Sequence, residues 1–187
     1  MKLRPTALPD VVLVEPTVFE DERGWFMETF NEPRWHDALT ALGLPAPRPF
    51  VQDNHSCSAR GALRGLHYQL SPRAQGKLVR VVRGAAFDVA VDIRRGSPSF
   101  GRWIGCELSA ANRLQLWLPE GFAHGFVALE AGTEVLYKTT DVYARDCERS
   151  IAWDDPEIAI RWPALGMAPA LSPKDAAAPP LARADLF

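Results

Sequence analysis

Apolar positions recur along this chain in short runs broken by turn residues, and their period is two rather than 3.6. The clearest run is Ala85–Ile93, with Phe87, Val89, Val91 and Ile93 on one face and Ala86, Asp88, Ala90 and Asp92 on the other. Comparable runs span Phe50–Cys57, Ala62–Gln69, Lys77–Arg83, Arg102–Leu108, Gln115–Leu118, His124–Leu129 and Thr133–Thr139. Upstream, Val11–Phe19 reads as a strand edged or interrupted at Pro16. Asp21-Glu22-Arg23-Gly24 is a turn, and Trp25–Phe30 resumes as a second strand. One stretch departs from this pattern. Asn31 suits an N-cap and Glu32 and Pro33 a first helical turn, which predicts a short helix ending near Gly43. Leu44–Pro49, with three prolines, is a loop.

Many short strands with glycine and proline between them predict an all-β domain. Length and strand number favour a double-sheet jelly roll of the cupin kind, with one or a few short helices, over an immunoglobulin-like sandwich. No repeat or linker divides the chain, so residues 1–187 read as a single domain. The segment 163–187 is rich in Ala and Pro, and Pro179-Pro180 argues against continuous helix there. It is either a free end or a segment laid along the domain.

Composition narrows the function classes. A net charge of −2 disfavours nucleic acid as the main partner. No apolar run approaches the ~20 residues that span a bilayer, and the polar, proline-bearing start is not a signal peptide. Cys57, Cys106 and Cys147 are widely spaced and odd in number, which points to reduced thiols and a cytoplasmic protein.

Candidate chemistry concentrates in Leu63-Arg64-Gly65-Leu66-His67-Tyr68-Gln69 and the following Gln75-Gly76-Lys77. A histidine flanked by two cations on β segments suits a pocket that binds an anion and moves a proton. The competing reading is a hydrogen-bonded core histidine between surface charges. Arg64 and His67 are three residues apart, so a regular strand sends them to opposite faces. Both reach one pocket only if the strand carries a bulge or sharp twist, which Gly65 permits. His124, in Pro119-Glu120-Gly121-Phe122-Ala123-His124-Gly125-Phe126, is either a turn histidine or a ligand-facing one whose glycine neighbour allows close approach. Tyr137 is either an amphipathic core tyrosine or an acid, and Asp88 either a solvated residue or one turned into the barrel. His36 and His55 read as structural or solvated. Nucleotide-binding glycine loops, HExxH and GxSxG are absent, as is the paired-histidine cluster common in metal-binding cupins, so no metal is expected.

These motifs, together with Val51-Gln52-Asp53-Asn54-His55-Ser56, Phe87-Asp88-Val89-Ala90-Val91-Asp92-Ile93-Arg94, Leu136-Tyr137-Lys138 and Leu171-Ser172-Pro173-Lys174-Asp175, resemble the dTDP-4-dehydrorhamnose 3,5-epimerase family from Pro9 to Leu181. The resemblance implies a cofactor-independent isomerase of the dTDP-L-rhamnose pathway, working as a homodimer on a dTDP-4-keto-6-deoxyhexose. It implies His67 as general base with Asp175 as its partner, Tyr137 as general acid on the opposite sugar face, and Lys77 as the stabiliser of the enolate. It places Arg23, Phe26, Glu28, Gln52, Asp53, Asn54, Arg64, Asp88, His124, Glu148 and Lys174 at the substrate, with Arg23 and Glu28 supplied by the partner subunit. Tyr143 would stack on the thymine. Two positions depart from the family pattern: Cys57, where a polar residue is expected, and Val142, where an aromatic is common.

The chemistry suits these residue types. A C4 ketone acidifies C3 and C5, a near-neutral base removes the proton, and an ammonium stabilises the enolate. Inversion requires a second acid on the other face. Cations near Tyr137 are expected to ease its ionisation. The alternatives are a single-site 3- or 5-epimerase, a 3,4-ketoisomerase, a metal-dependent cupin oxygenase and a non-catalytic sugar-nucleotide-binding jelly roll.

Overall fold

A computed structural model describes residues 1–187. The period-two runs form two facing antiparallel sheets. Six strands make one: β1 (Lys2–Pro5), β2 (Val12–Glu15), β10 (Gln115–Leu118), β7 (Lys77–Arg83), β12 (Thr133–Thr139) and β5 (Gln52–Ser58), in that spatial order. The other runs β13 (Glu148–Ser150), β6 (Leu63–Gln69), β11 (Phe122–Ala128), β8 (Ala85–Asp92) and β9 (Trp103–Ser109). This is the jelly roll expected. β3 (Val18–Asp21) and β4 (Gly24–Met27) form a separate hairpin. The predicted Val11–Phe19 run is broken at Pro16 because that residue brings no N–H to a ladder.

Between the sheets lies an apolar core that includes Val79, Val81, Leu116, Leu118 and Val135 from one sheet and Ala86, Ala90, Leu108, Phe122 and Phe126 from the other. The outer faces are covered too, for different reasons. α1 (Glu32–Ala41) buries Trp35 and Leu39 against the six-stranded sheet, with Trp35 edge-on to Trp117 at a centroid distance of 5.5 Å. Asn31 caps this helix, its side chain accepting from the Arg34 N–H at 3.3 Å. The chain after β13 covers the five-stranded sheet, packing Ile151, Ile158, Leu181 and Ala184 on Val89, Val91 and Ile93. The Pro/Ala-rich segment is therefore laid along the domain. It includes a four-residue helix, α2 (Pro173–Ala176).

β8 is thus buried on both faces, and Asp88 and Asp92 are fully enclosed. The alternating polar positions of β8 are the inward face of a sandwich, not a solvated one. No helix is long and apolar enough to cross a membrane.

Candidate active site

At one end of the sandwich the inward rows change from apolar to polar. Along β7 the inward residues are Lys77, then Val79 and Val81 in the core; along β12, Val135 gives way to Tyr137. The result is a cavity of about 330 Å³ in which only 4 of 17 lining residues are hydrophobic. Ligand sites are usually lined mostly by apolar side chains, so this one suits a charged, polyhydroxylated ligand.

Arg64 and His67 both line it. On β6 they sit three residues apart, while their partners on β11, Phe126 and His124, are two apart, so β6 carries one extra residue. That is the bulge the motif required. Gly65 takes φ +141°, and a Cβ there would lie 2.5 Å from the Gly125 Cα. No other residue fits that position.

His67 Nε2 meets Asp175 Oδ1 at 2.5 Å, and Nδ1 has no protein partner. Asp175 is buried, which alone would raise its pKa. The His67 contact, Ser172 and the Lys174 charge outweigh burial and hold it below the usual carboxylate range. Lys77 lies deeper. Burial lowers its ammonium to a pKa of about 8, against the pull of Asp88 and Glu148. Its Nζ donates to the His67 carbonyl at 3.2 Å.

Opposite His67 in the β6–β11 ladder, His124 Nε2 faces both oxygens of Asp88 at 3.0 Å. Burial lowers the His124 pKa despite that carboxylate, with Lys77 and His67 adding to the effect. Asp88 itself stands behind His124, out of the cavity wall. Tyr137 projects from the facing sheet. Burial raises its pKa more than the nearby Arg64 charge lowers it, so the phenol is held protonated, contrary to the expected ease of ionisation.

The mouth carries a polar chain. Lys174 Nζ pairs with Glu148 Oε1 at 2.5 Å, and the Tyr143 hydroxyl donates to Glu148 Oε2 at 2.9 Å. The Tyr143 N–H donates to Gln52 Oε1 at 2.9 Å, and Gln52 Nε2 to Asn54 Oδ1 at 2.9 Å. Arg64 is braced by Ser58 Oγ at 3.1 Å.

Four expected residues lie elsewhere in the single chain. Asp53 alternates to the outer side of β5, where Lys138 binds it at 2.9 Å. Arg23 and Phe26 sit on the β3–β4 hairpin, Arg23 paired with Asp21, and Glu28 binds Arg34 at 3.2 Å beside it. His55 pairs with Glu134 on the surface, and His36 is half-buried on α1. Sequence reasoning missed Ser56, whose buried hydroxyl has no partner, and Ser172, which bonds Asp175; both line the cavity. For Ser172 a signal existed, since Ser-Pro followed by acidic Asp175 is a helix-start pattern. No group of three or more His, Cys, Asp or Glu side chains is arranged to hold a metal ion.

A family model described as dTDP-4-dehydrorhamnose 3,5-epimerase matches residues 5–183. The chain belongs to that family. A dTDP-4-dehydrorhamnose 3,5-epimerase of Pseudomonas aeruginosa is 56% identical over 187 residues, covering 100% of this chain and 99% of that protein. Among solved structures, the dTDP-6-deoxy-D-glucose-3,5-epimerase of Legionella pneumophila, in complex with dTDP-4-keto-L-rhamnose, superposes with a TM-score of 0.91 at 49% identity. That match covers 98% of this chain and 94% of that one. A 3'-monoepimerase of Streptomyces bikiniensis, in complex with dTDP-quinovose, shares the fold at a TM-score of 0.85 and 36% identity, over 97% and 88% of the two chains. Members of the epimerase family thus share this scaffold with an enzyme described as acting at one carbon.

Proposed function

We propose that this chain inverts C3 and C5 of dTDP-4-dehydro-6-deoxy-D-glucose to give dTDP-4-dehydro-L-rhamnose, without a metal or organic cofactor. The observation that carries this reading is one cavity lined by the Asp175-backed His67, buried Lys77 and, from the facing sheet, Tyr137. Asp175 accepts a hydrogen bond from the Nε2–H of His67, leaving the Nδ1 lone pair to take the proton from the sugar carbon. The C4 ketone receives the electron pair as an enolate, and the Lys77 ammonium stabilises the oxygen. Tyr137 then gives its phenolic proton to the other face of the carbon, and solvent returns the enzyme to its starting protonation. A phenol held protonated by burial is ready for that role. At the mouth, Tyr143 and Glu148 receive the nucleobase end, and Arg64 and Lys174 the diphosphate.

The same reading makes the protein a cytoplasmic homodimer. Phe19, Trp25 and Phe26 on the β3–β4 hairpin are 61%, 55% and 68% exposed, an apolar arm that suits burial against a second copy. Such a contact would bring Arg23 and Glu28 towards the partner's cavity.

The test is proton NMR of the substrate with the enzyme in D2O. Deuterium at both C3 and C5, with His67→Ala inert, is the expected result. Deuterium at one carbon only would make it a single-site epimerase, and no exchange with binding intact a sugar-nucleotide-binding protein. Sedimentation of the wild type against Trp25→Glu checks the dimer: a wild-type monomer would overturn it.

A further inference from the structure

A buried carboxylate needs hydrogen-bond partners, and donors on both of its oxygens fix which way it turns. Asp175, 4% exposed, has its Oδ1 against His67 Nε2 at 2.5 Å. Its Oδ2 accepts from Ser172 Oγ at 2.8 Å, and the same Oγ accepts the Asp175 backbone N–H at 3.1 Å. One hydroxyl therefore sets both where Asp175 sits at the start of α2 and which way its carboxyl group turns. No other side-chain donor reaches that carboxylate. The intervening Pro173 has no N–H to compete for the hydroxyl and presets the backbone for the helix. Lys174, in the same turn, is tied to Glu148, so α2 keeps an anchor of its own when the hydroxyl is removed.

We propose that Ser172 is a positioning residue for the His67–Asp175 pair, extending it to a Ser–Asp–His chain. The inference rests on the role given to His67 above. With Ser172 in place, Oδ1 is held towards Nε2, which keeps the imidazole in the tautomer whose free Nδ1 lone pair faces outward. Without it, the carboxyl can rotate about Cβ–Cγ and the imidazole loses its fixed partner. Misplacing a reacting group by about 1 Å can slow the step it performs by up to ~10²-fold.

The experiment compares Ser172→Ala, Ser172→Gly and Ser172→Thr with the wild type, measuring kcat, KM, dTDP affinity, deuterium wash-in and Tm. Glycine is nearly as good an N-cap as serine but donates no hydrogen bond, and threonine keeps both functions. The expected result is a fall of roughly 10- to 100-fold in kcat and wash-in for Ala and Gly, the scale of a misplaced catalytic group. KM and dTDP affinity stay unchanged, Thr restores most of the rate, and Gly is as slow as Ala although its Tm is closer to wild type. An unchanged kcat in the Gly variant overturns the proposal, as does failure of Thr to restore the rate. A raised KM at constant kcat also overturns it, because Ser172 would then be a substrate contact. Absence of exchange in the wild type would instead defeat the functional reading, independently of Ser172.

Discussion

Two histidine–carboxylate pairs face each other across a single β-ladder, and they are built for different work. His67 pairs with Asp175, 108 residues away, and keeps 29% of its side chain exposed to the cavity. His124 pairs with Asp88 on the neighbouring strand, with side-chain exposures of 8% and 0%. The first joins a strand to a four-residue helix and leaves one ring nitrogen free. The second presses Nε2 between two carboxylate oxygens in a site where burial disfavours the imidazolium. The same two residue types give an accessible imidazole with a free ring nitrogen in one place and an enclosed one, whose charged form burial disfavours, in the other. Environment, not identity, separates the roles.

The comparison can be broken most severely at His67. His67→Ala should lower kcat by about 10²–10⁴-fold, the usual contribution of a positioned base, and should also cost about 1–3 kcal/mol of stability, because it removes the main partner of the buried Asp175 carboxylate. Steady-state kinetics and calorimetry read the two effects. Tyr137→Phe should come next. Net inversion falls by roughly 10²-fold while deuterium wash-in from the His67 face persists, since a general acid is lost but the base is not. Equal loss of both signals would remove Tyr137 from the acid role.

Asp88→Ala should differ from His67→Ala in its kinetics rather than in its stability. It strands a buried imidazole N–H and should cost about 1–3 kcal/mol of stability, a few degrees in Tm, before any effect on chemistry is counted. Stability equal to wild type would mean that the pair is not structural.

Lys77 sharpens the contrast through pH. Its folded pKa of about 8 lies below the ordinary 10.5, so the folded protein binds its proton less tightly than the unfolded chain. This burial therefore costs stability below pH 8, and the cost fades as pH rises towards 10.5. Activity runs the other way, because the enolate needs the ammonium: kcat/KM, which reports groups of the free enzyme, should fall as pH rises through about 8. A rate that stays flat to pH 10, beyond that pKa of about 8, would remove Lys77 from this role. The smallest effect on turnover is expected at the rim, where Tyr143→Ala should leave kcat unchanged and weaken dTDP binding by about 1–3 kcal/mol, the worth of one base–aromatic stack.

Much of this was legible along the chain. β7, β10 and β12 begin and end where the period-two runs do, because half-buried strands impose that period on their side chains. α1 begins at its Asn31 cap for an equally local reason. The shortest elements were not legible. β1, β13 and α2 have 4, 3 and 4 residues, and none carries the apolar run that marks the equally short β10. Asp53 illustrates the limit within the site. It sits between Gln52 and Asn54, both of which line the cavity, yet a strand must send it to the other side.

What the sequence determined by itself was therefore local: strand and helix periods, caps, the glycine a bulge would need, and a set of residue types suited to moving a proton beside an anion. Which of two histidines is accessible and which is locked, and that Asp175 reaches His67 from across 108 residues, were decided by the tertiary structure. Accessibility and charge coupling depend on what packs against a residue. Here that is the facing sheet and the returning C-terminal segment, brought there by burial of apolar surface far along the chain.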